Sequence, residues 1–311
     1  MINLAEILVF VTAAEEMSFS KAAIKLHLSQ SAVSQNIQSL ERNYGVELFL
    51  RMGRSIQLTQ EGINILPTAR DLLRTARACE DVILNSKNEL VGNIKIASAT
   101  TSGNYFIPNI LAAFQRIHPK VKTVVTSQAR QFVQEGLIQQ NIDLGVIGRE
   151  VIHKDLESFL IVEDKVVLIV PDGHPWTKRE QISHDELYTQ AFIRRTKNTS
   201  TNEVLYASLK EYGIDPSRFN IVSQLEDAEA VLMAVENGIG ITFISEMMAS
   251  RSLALGKVKM VNLAGVRIAQ PIYLVRHIGR TNTLATKRLW DFIRENRDSL
   301  IHEMIHHLSQ L

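Results

Sequence analysis

Six small or apolar residues, Ile65, Ala69, Leu72, Ala76, Cys79 and Ile83, recur at spacings of 4, 3, 4, 3 and 4. That is the 3.5-residue period of a helical seam, held for nearly three heptads, and it commits this stretch to one long helix. Thr59 is placed to cap its start, and the helix is expected over residues 59–90. Pro67 lies inside it, where it removes a backbone hydrogen bond and should bend the helix. The chain changes character on either side of this helix, near Thr59 and near Gly92, so its 311 residues divide into 1–58, 59–90 and 91–311. A seam of this kind needs a surface to pack on, either a second copy of the helix or the rest of its own chain.

Residues 1–58 have the spacing of short helices followed by a hairpin. Leu4, Ile7, Leu8 and Val11 form a helical stripe, and Ser20 is placed to cap a second helix over Lys21–His27. Ser29 should cap a third, from Gln30 to about Tyr44, which Gly45 ends. Strands are expected around Glu47–Leu50 and Ser55–Leu58, joined through Met52, Gly53 and Arg54. In the third helix Val33, Ile37 and Leu40 share the inward face. Gln30, Ser34 and Gln38 lie four apart on the other, with Ser31, Gln35 and Arg42 beside them. Lys and Glu, the usual residues of a solvated face, are absent from Gln30 to Leu40. Glutamine can pair bidentately with adenine in the major groove, and serine can contact bases or phosphates. Arg51 and Arg54 flank the hairpin tip, where a wing meets phosphates. A plain surface helix is the alternative, but the short helix, tight turn and wing around it favour DNA reading. Net charge adds nothing to the case, since 34 basic residues face 33 acidic ones.

Three runs in register, Phe19-Ser20-Lys21-Ala22-Ala23, Leu26 to Gln35, and Leu40-Glu41 through Gly45-Val46, Leu48-Phe49, Arg51, Arg54 and Leu58-Thr59, resemble the DNA-binding signature of the LysR family. One departure is Ser31, where that family commonly has proline. The resemblance implies a multidomain chain: a winged helix-turn-helix, a linker helix pairing two subunits, and an α/β effector domain like the periplasmic binding proteins. It assigns DNA contact to Gln30, Ser31, Ser34, Gln35, Gln38, Arg51 and Arg54. It implies a homodimer through 59–90, a homotetramer built from two dimers, and promoter DNA carrying interrupted inverted repeats. RNA polymerase is a further expected partner.

From residue 91 onward strands alternate with helices. Strand candidates are Ile94–Ala99, Val121–Thr126, Ile142–Ile147, Val166–Val170, Ala191–Arg194, Asn220–Gln224, Gly240–Ile244 and Ile272–Arg276, with helices such as Ile107–Ile117, Phe132–Gln139 and Ala228–Asn237 between them. Such alternation predicts parallel sheets covered on both faces. The length favours two subdomains, about 92–161 with 268–311, and 162–267. Two hydroxyl clusters, Ser98 with Thr100, Thr101 and Ser102, and Thr199 to Thr201, each lead into a helix. A helix start of this kind suits an anion such as a carboxylate, and equally suits ordinary capping. The resemblance places an effector pocket between the subdomains, with Thr100, Thr101, Ser102, Gln128, Gly148 and Thr199 on its wall. Arg149, Arg194 and Arg195 could pair with an anionic ligand, or be plain surface charges. The run from Gly92 to Pro108 most resembles the branch that controls carbon-fixation and sulfur-assimilation operons.

Other functions find little support in the chain. Gly238-Ile239-Gly240 lacks the third glycine of a dinucleotide loop, and neither a P-loop nor a G-x-S-x-G elbow is present, so no enzyme is expected. A solute-binding protein without a DNA role would suit the C-terminal half only. The early apolar run Ile7–Ala14 has no basic residue before it, and no stretch reaches the length of a membrane span, so a cytoplasmic chain without membrane contact is expected. The single cysteine, Cys79, sits on the seam as a small apolar residue. His302 and His306 lie four apart on an expected C-terminal helix, a spacing better explained by chance than by metal, and no cofactor is expected beyond the small-molecule effector.

Overall fold

Asn3, Ser18 and Ser29 each stand in extended backbone just before a helix, and each accepts a backbone N–H of the first turn on its side-chain oxygen. In the computed structural model, which describes residues 2–52, 55–84, 89–99, 101–196, 200–278 and 282–301, these caps start α1 (Leu4–Glu16), α2 (Phe19–Leu26) and α3 (Gln30–Tyr44). The second helix thus begins earlier than Lys21, with Ser18 and not Ser20 as its cap. The reason is Phe19, which is buried and packs edge-on to Phe49 with ring centroids 5.3 Å apart. Gly45 ends α3 at φ +68°, a conformation that costs glycine little.

A two-stranded wing follows, β1 (Phe49–Met52) against β2 (Ser55–Leu58), with Phe49 opposite Leu58. The first strand starts two residues later than the expected Glu47. Leu48 N–H and Phe49 N–H both donate to the Glu41 carboxylate of α3, at 2.8 and 3.2 Å, which ties the wing's root to that helix. The long helix α4 is described over Gln60–Leu84. Thr59 caps it: its hydroxyl accepts from Gly62 N–H at 3.0 Å and donates to Glu47 C=O at 2.7 Å. Gly62 has no room for a side chain, because a Cβ there would lie 2.3 Å from Leu48 C=O. One core serves this unit. It contains Ile7, Phe10, Val33, Ile37, Leu40 and Ala69, and Ile65 and Leu72 pack against it. The seam on α4 therefore splits. Its first half is covered by the unit's own helices, while Cys79 and Ile83 stand exposed, Ile83 by 70%. Within this chain alone Cys79 is exposed.

The second compact unit begins at Leu90. Its main sheet runs β10-β6-β11-β5-β3-β4, with β9 also pairing β6. The strands are β3 (Gly92–Ser98), β4 (Val121–Ser127), β5 (Leu144–Ile147), β6 (Leu156–Pro171), β9 (Thr242–Ser245), β10 (Val258–Val261) and β11 (Ile268–His277). The wholly parallel sheet expected from the strand–helix alternation is corrected here. Only β3 with β4 and β3 with β5 are parallel, while β6 and β11 pair antiparallel with each other, and with β9, β10 and β5. The cause is the length of β6, far beyond the expected Val166–Val170: after β5 the chain turns back as a strand with no helix between. A separate parallel pair, β7 (Ala191–Arg195) and β8 (Asn220–Leu225), is bridged to the main sheet at Ile241.

Helices α5 (Thr101–Ile117), α6 (Arg130–Ile138), α7 (Ser200–Glu211), α8 (Ala228–Glu236), α9 (Glu246–Ala254) and α10 (Leu284–Glu295) cover these strands. Core residues segregate along β6 and β11. Ile272 and Ile161 join the core beneath α5 and α10, whereas Ile268 and Val166 join the core beneath α7. Between them on β11 sits Gln270, fully buried and in register with Asp164, whose carboxylate accepts from Met247 N–H at 3.4 Å. The apolar run is interrupted by polar groups at the crossing between the two cores.

Candidate DNA interface and effector cavity

Helix α3 is apolar inward and polar outward as its spacing predicts. Val33, Ile37 and Leu40 are buried, while Gln30, Ser31, Gln35 and Gln38 are exposed and Ser34 is half-buried. The helix is held against α1 by a hydrogen bond from Ser39 Oγ to Glu6 Oε1, 2.8 Å, so the exposed face presents a fixed set of groups. Ser31 Oγ shares a 2.9 Å contact with the capping hydroxyl of Ser29, so serine at that position supports the turn. Arg42 Nε donates to the Gln38 carbonyl at 3.2 Å and leaves the Gln38 amide to solvent. Short amides and hydroxyls on a rigid helix, with no long charged side chains between them, suit direct reading of base edges. Arg51 lies on β1 opposite Ile56. Arg54 lies outside the described residues.

The effector-site candidates scatter more widely. Thr100 and Thr199 lie outside the described residues, and Thr101 and Ser102 occupy the first two positions of α5. Gln128 follows β4, where its backbone N–H donates to Ser98 C=O at 3.0 Å and its side chain donates to Thr126 Oγ1 at 3.2 Å. It borders a wide groove of about 600 Å³ with Lys95, Val124, Phe132 and Glu135. Gly148 is buried just after β5, and Arg149 beside it is exposed.

Arg194 and Arg195 instead border a cavity of about 50 Å³ between β7, β8, α7, α8 and β9. No lining residue is common to this cavity and the groove at Gln128. The cavity's aromatic wall is Phe192, Phe219 and Phe243. The first two stack nearly parallel, 4.3 Å between centroids. Arg195 is engaged, its Nε donating to Glu226 C=O at 2.9 Å, and burial pulls its pKa below the usual arginine range. Arg194 Nε is buried and has no hydrogen-bond partner among the described residues. The aromatic wall was not found from the sequence. Phe192 stands in an apolar pair with Ile193 and Phe219 just before Asn220, and only the pairing of β7 with β8 puts those rings together.

Among the described residues no group of three or more His, Cys, Asp or Glu side chains is arranged to hold a metal, and no helix is long and apolar enough to cross a membrane. His302 and His306 lie outside the described residues.

A DNA-reading helix with a wing, a long helix and a two-core α/β unit define a class of ligand-responsive DNA-binding proteins. The family model described as bacterial regulatory helix-turn-helix protein, lysR family, matches residues 4–63, and that described as LysR substrate binding domain matches residues 87–298. The chain belongs to the LysR family. It is a transcriptional regulator with a DNA-binding helix-turn-helix and an effector-binding domain. Similar chains include probable RuBisCO transcriptional regulators. That of Porphyra purpurea is 32% identical over 282 residues, 88% of this chain and 87% of its own. That of Cyanidium caldarium is 31% identical over 278 residues, 87% and 86%. Among solved structures, a full-length OxyR variant from Pseudomonas aeruginosa superposes with a TM-score of 0.72 at 20% identity, over 94% of this chain and 95% of that one. Full-length CbnR complexed with its target DNA superposes at 0.57 and 23% identity, over 95% and 100%.

Proposed function

We propose that this regulator binds interrupted inverted repeats at promoters through Gln30, Ser31, Ser34, Gln35 and Gln38 on α3, with Arg51 and Arg54 of the wing on phosphates, and that a small anionic metabolite alters that binding. The exposed amide and hydroxyl face of α3 carries the DNA reading. The exposed half of the α4 seam, Cys79 and Ile83, supports pairing of two copies. Two copies present two recognition helices, so the target has two half-sites. A pair of dimers forming a tetramer on bent DNA, contact with RNA polymerase and a cytoplasmic location complete this reading. The buried Nε of Arg194, without a hydrogen-bond partner among the described residues, supports an anionic effector. The naming of its relatives as RuBisCO regulators supports genes of carbon fixation as targets.

The effector must favour one arrangement of the DNA-bound assembly over another, or it shifts nothing. Selection of bound fragments from sheared genomic DNA, followed by footprinting with and without a metabolite panel, tests the reading. An inverted repeat near a few promoters, with a footprint that one anionic metabolite changes, is the expected result. Fragments with no common repeat would refute it.

A further inference from the structure

The cavity bordered by Arg194 is lined by two unlike kinds of group. Its floor is the stacked pair Phe192 and Phe219 with Leu205, an apolar surface that gains nothing from water. Three of its polar lining groups hold the walls. Thr242 Oγ1 donates to Ile193 C=O at 2.8 Å, Asn202 Nδ2 donates to Arg195 C=O at 3.1 Å, and Ser245 Oγ accepts from Met248 N–H at 3.2 Å. Arg194 differs: its Nε is buried and has no acceptor among the described residues. A ligand group that fills this site must therefore bring an acceptor, and a negative charge suits it best. What lies beyond that acceptor enters an apolar space. At roughly 10–15 Å³ per water-sized group in this measure, a cavity of about 50 Å³ takes a chain of about three to five carbons.

We infer that the effector-binding domain holds a short-chain carboxylate, with its carboxylate on Arg194 and its alkyl tail in the pocket of Phe192, Phe219 and Leu205. This rests on the reading of Arg194 as an anion-binding residue and adds to it the size and polarity of the rest of the ligand. Binding joins β7, α7 and α8, which all border the cavity, and so stiffens this half of the domain.

The test is saturation-transfer NMR on the full chain with straight-chain carboxylates from acetate to octanoate, and with the amines of matching length. The response is expected to rise to butyrate and pentanoate and to fall again by octanoate, with no response from the amines. Arg194→Gln should weaken carboxylate binding about ten- to hundredfold, the worth of a charged hydrogen bond. Ala228→Leu, which adds bulk at the half-buried cavity wall, should remove the preference for a tail length. Leu205→Ala, which enlarges the floor, should move the optimum to longer tails. A response that depends on Arg194 but is flat in chain length would overturn the tail pocket and leave the anionic reading standing. A length preference unchanged by both wall variants would also overturn the pocket. No binding by any carboxylate would overturn the pocket and the role of Arg194 together.

Discussion

Gly62 shows what one residue decides. A Cβ there would meet Leu48 C=O at 2.3 Å and Leu58 Cδ2 at 2.9 Å, and the first of these is backbone that cannot swing away. Gly62→Ala should cost about 1–3 kcal/mol through forced separation of α4 from the root of the wing, seen as a lower denaturation midpoint with the fold retained. On the DNA face, Gln38→Ala should weaken specific binding more than non-specific binding. Arg54→Ala should weaken both alike and lower the salt slope by about one. Equal effects of the two changes on specific and non-specific probes would remove the division between base reading and phosphate contact. Glu186 gives a pH test. Its carboxylate accepts hydrogen bonds from Arg179 and from Ser183, which hold its pKa at about 2 against an ordinary value of 4.5. A depressed carboxylate contributes stability above its unfolded pKa, and that stability is lost as pH falls toward the folded value. The stability gap between the wild type and Glu186→Gln should therefore be full near neutral pH, shrink below about pH 4.5 and have lost most of its size by about pH 2. A gap independent of pH would exclude the ionised pair as its cause.

At the level of elements, caps and periods were the legible part. Ser29 before α3, Gly45 after it and Thr59 before α4 all stand where the sequence placed them. Ser29→Ala should cost about 1 kcal/mol by releasing Ala32 N–H, measurable as a loss in unfolding midpoint. Strand ends were less legible, because register depends on partners distant in sequence. The wing's first strand shifted to Phe49 once Glu41 took the N–H groups of Leu48 and Phe49. The strand β10 passed unnoticed since its buried ends, Val258 and Val261, enclose exposed Lys259 and Met260, and neither alternation nor an apolar run results. On α4, Ile83→Asp should shift a paired species toward single chains in sedimentation at micromolar concentration, with the unfolding midpoint of the first unit little changed, since Ile83 is exposed there.

For the whole molecule, the sequence alone determined the class. A regular seam, a polar recognition face and caps at fixed offsets are local patterns, and local patterns follow from helix geometry without knowledge of distant contacts. They were enough to separate a DNA-binding unit from an α/β unit and to give the inward and outward faces of α3. The tertiary structure alone decided three further matters. It made the main sheet mixed, because β6 returns as one long strand that pairs with β11 over ten positions. It split the α4 seam into a half covered by its own unit and a half left exposed. It placed the aromatic rings of β7, β9 and the approach to β8 around Arg194, residues whose sequence separation of up to 51 positions gives no local signature. Sheet pairing and cavities are products of non-local closure, and their geometry is fixed only when distant strands meet.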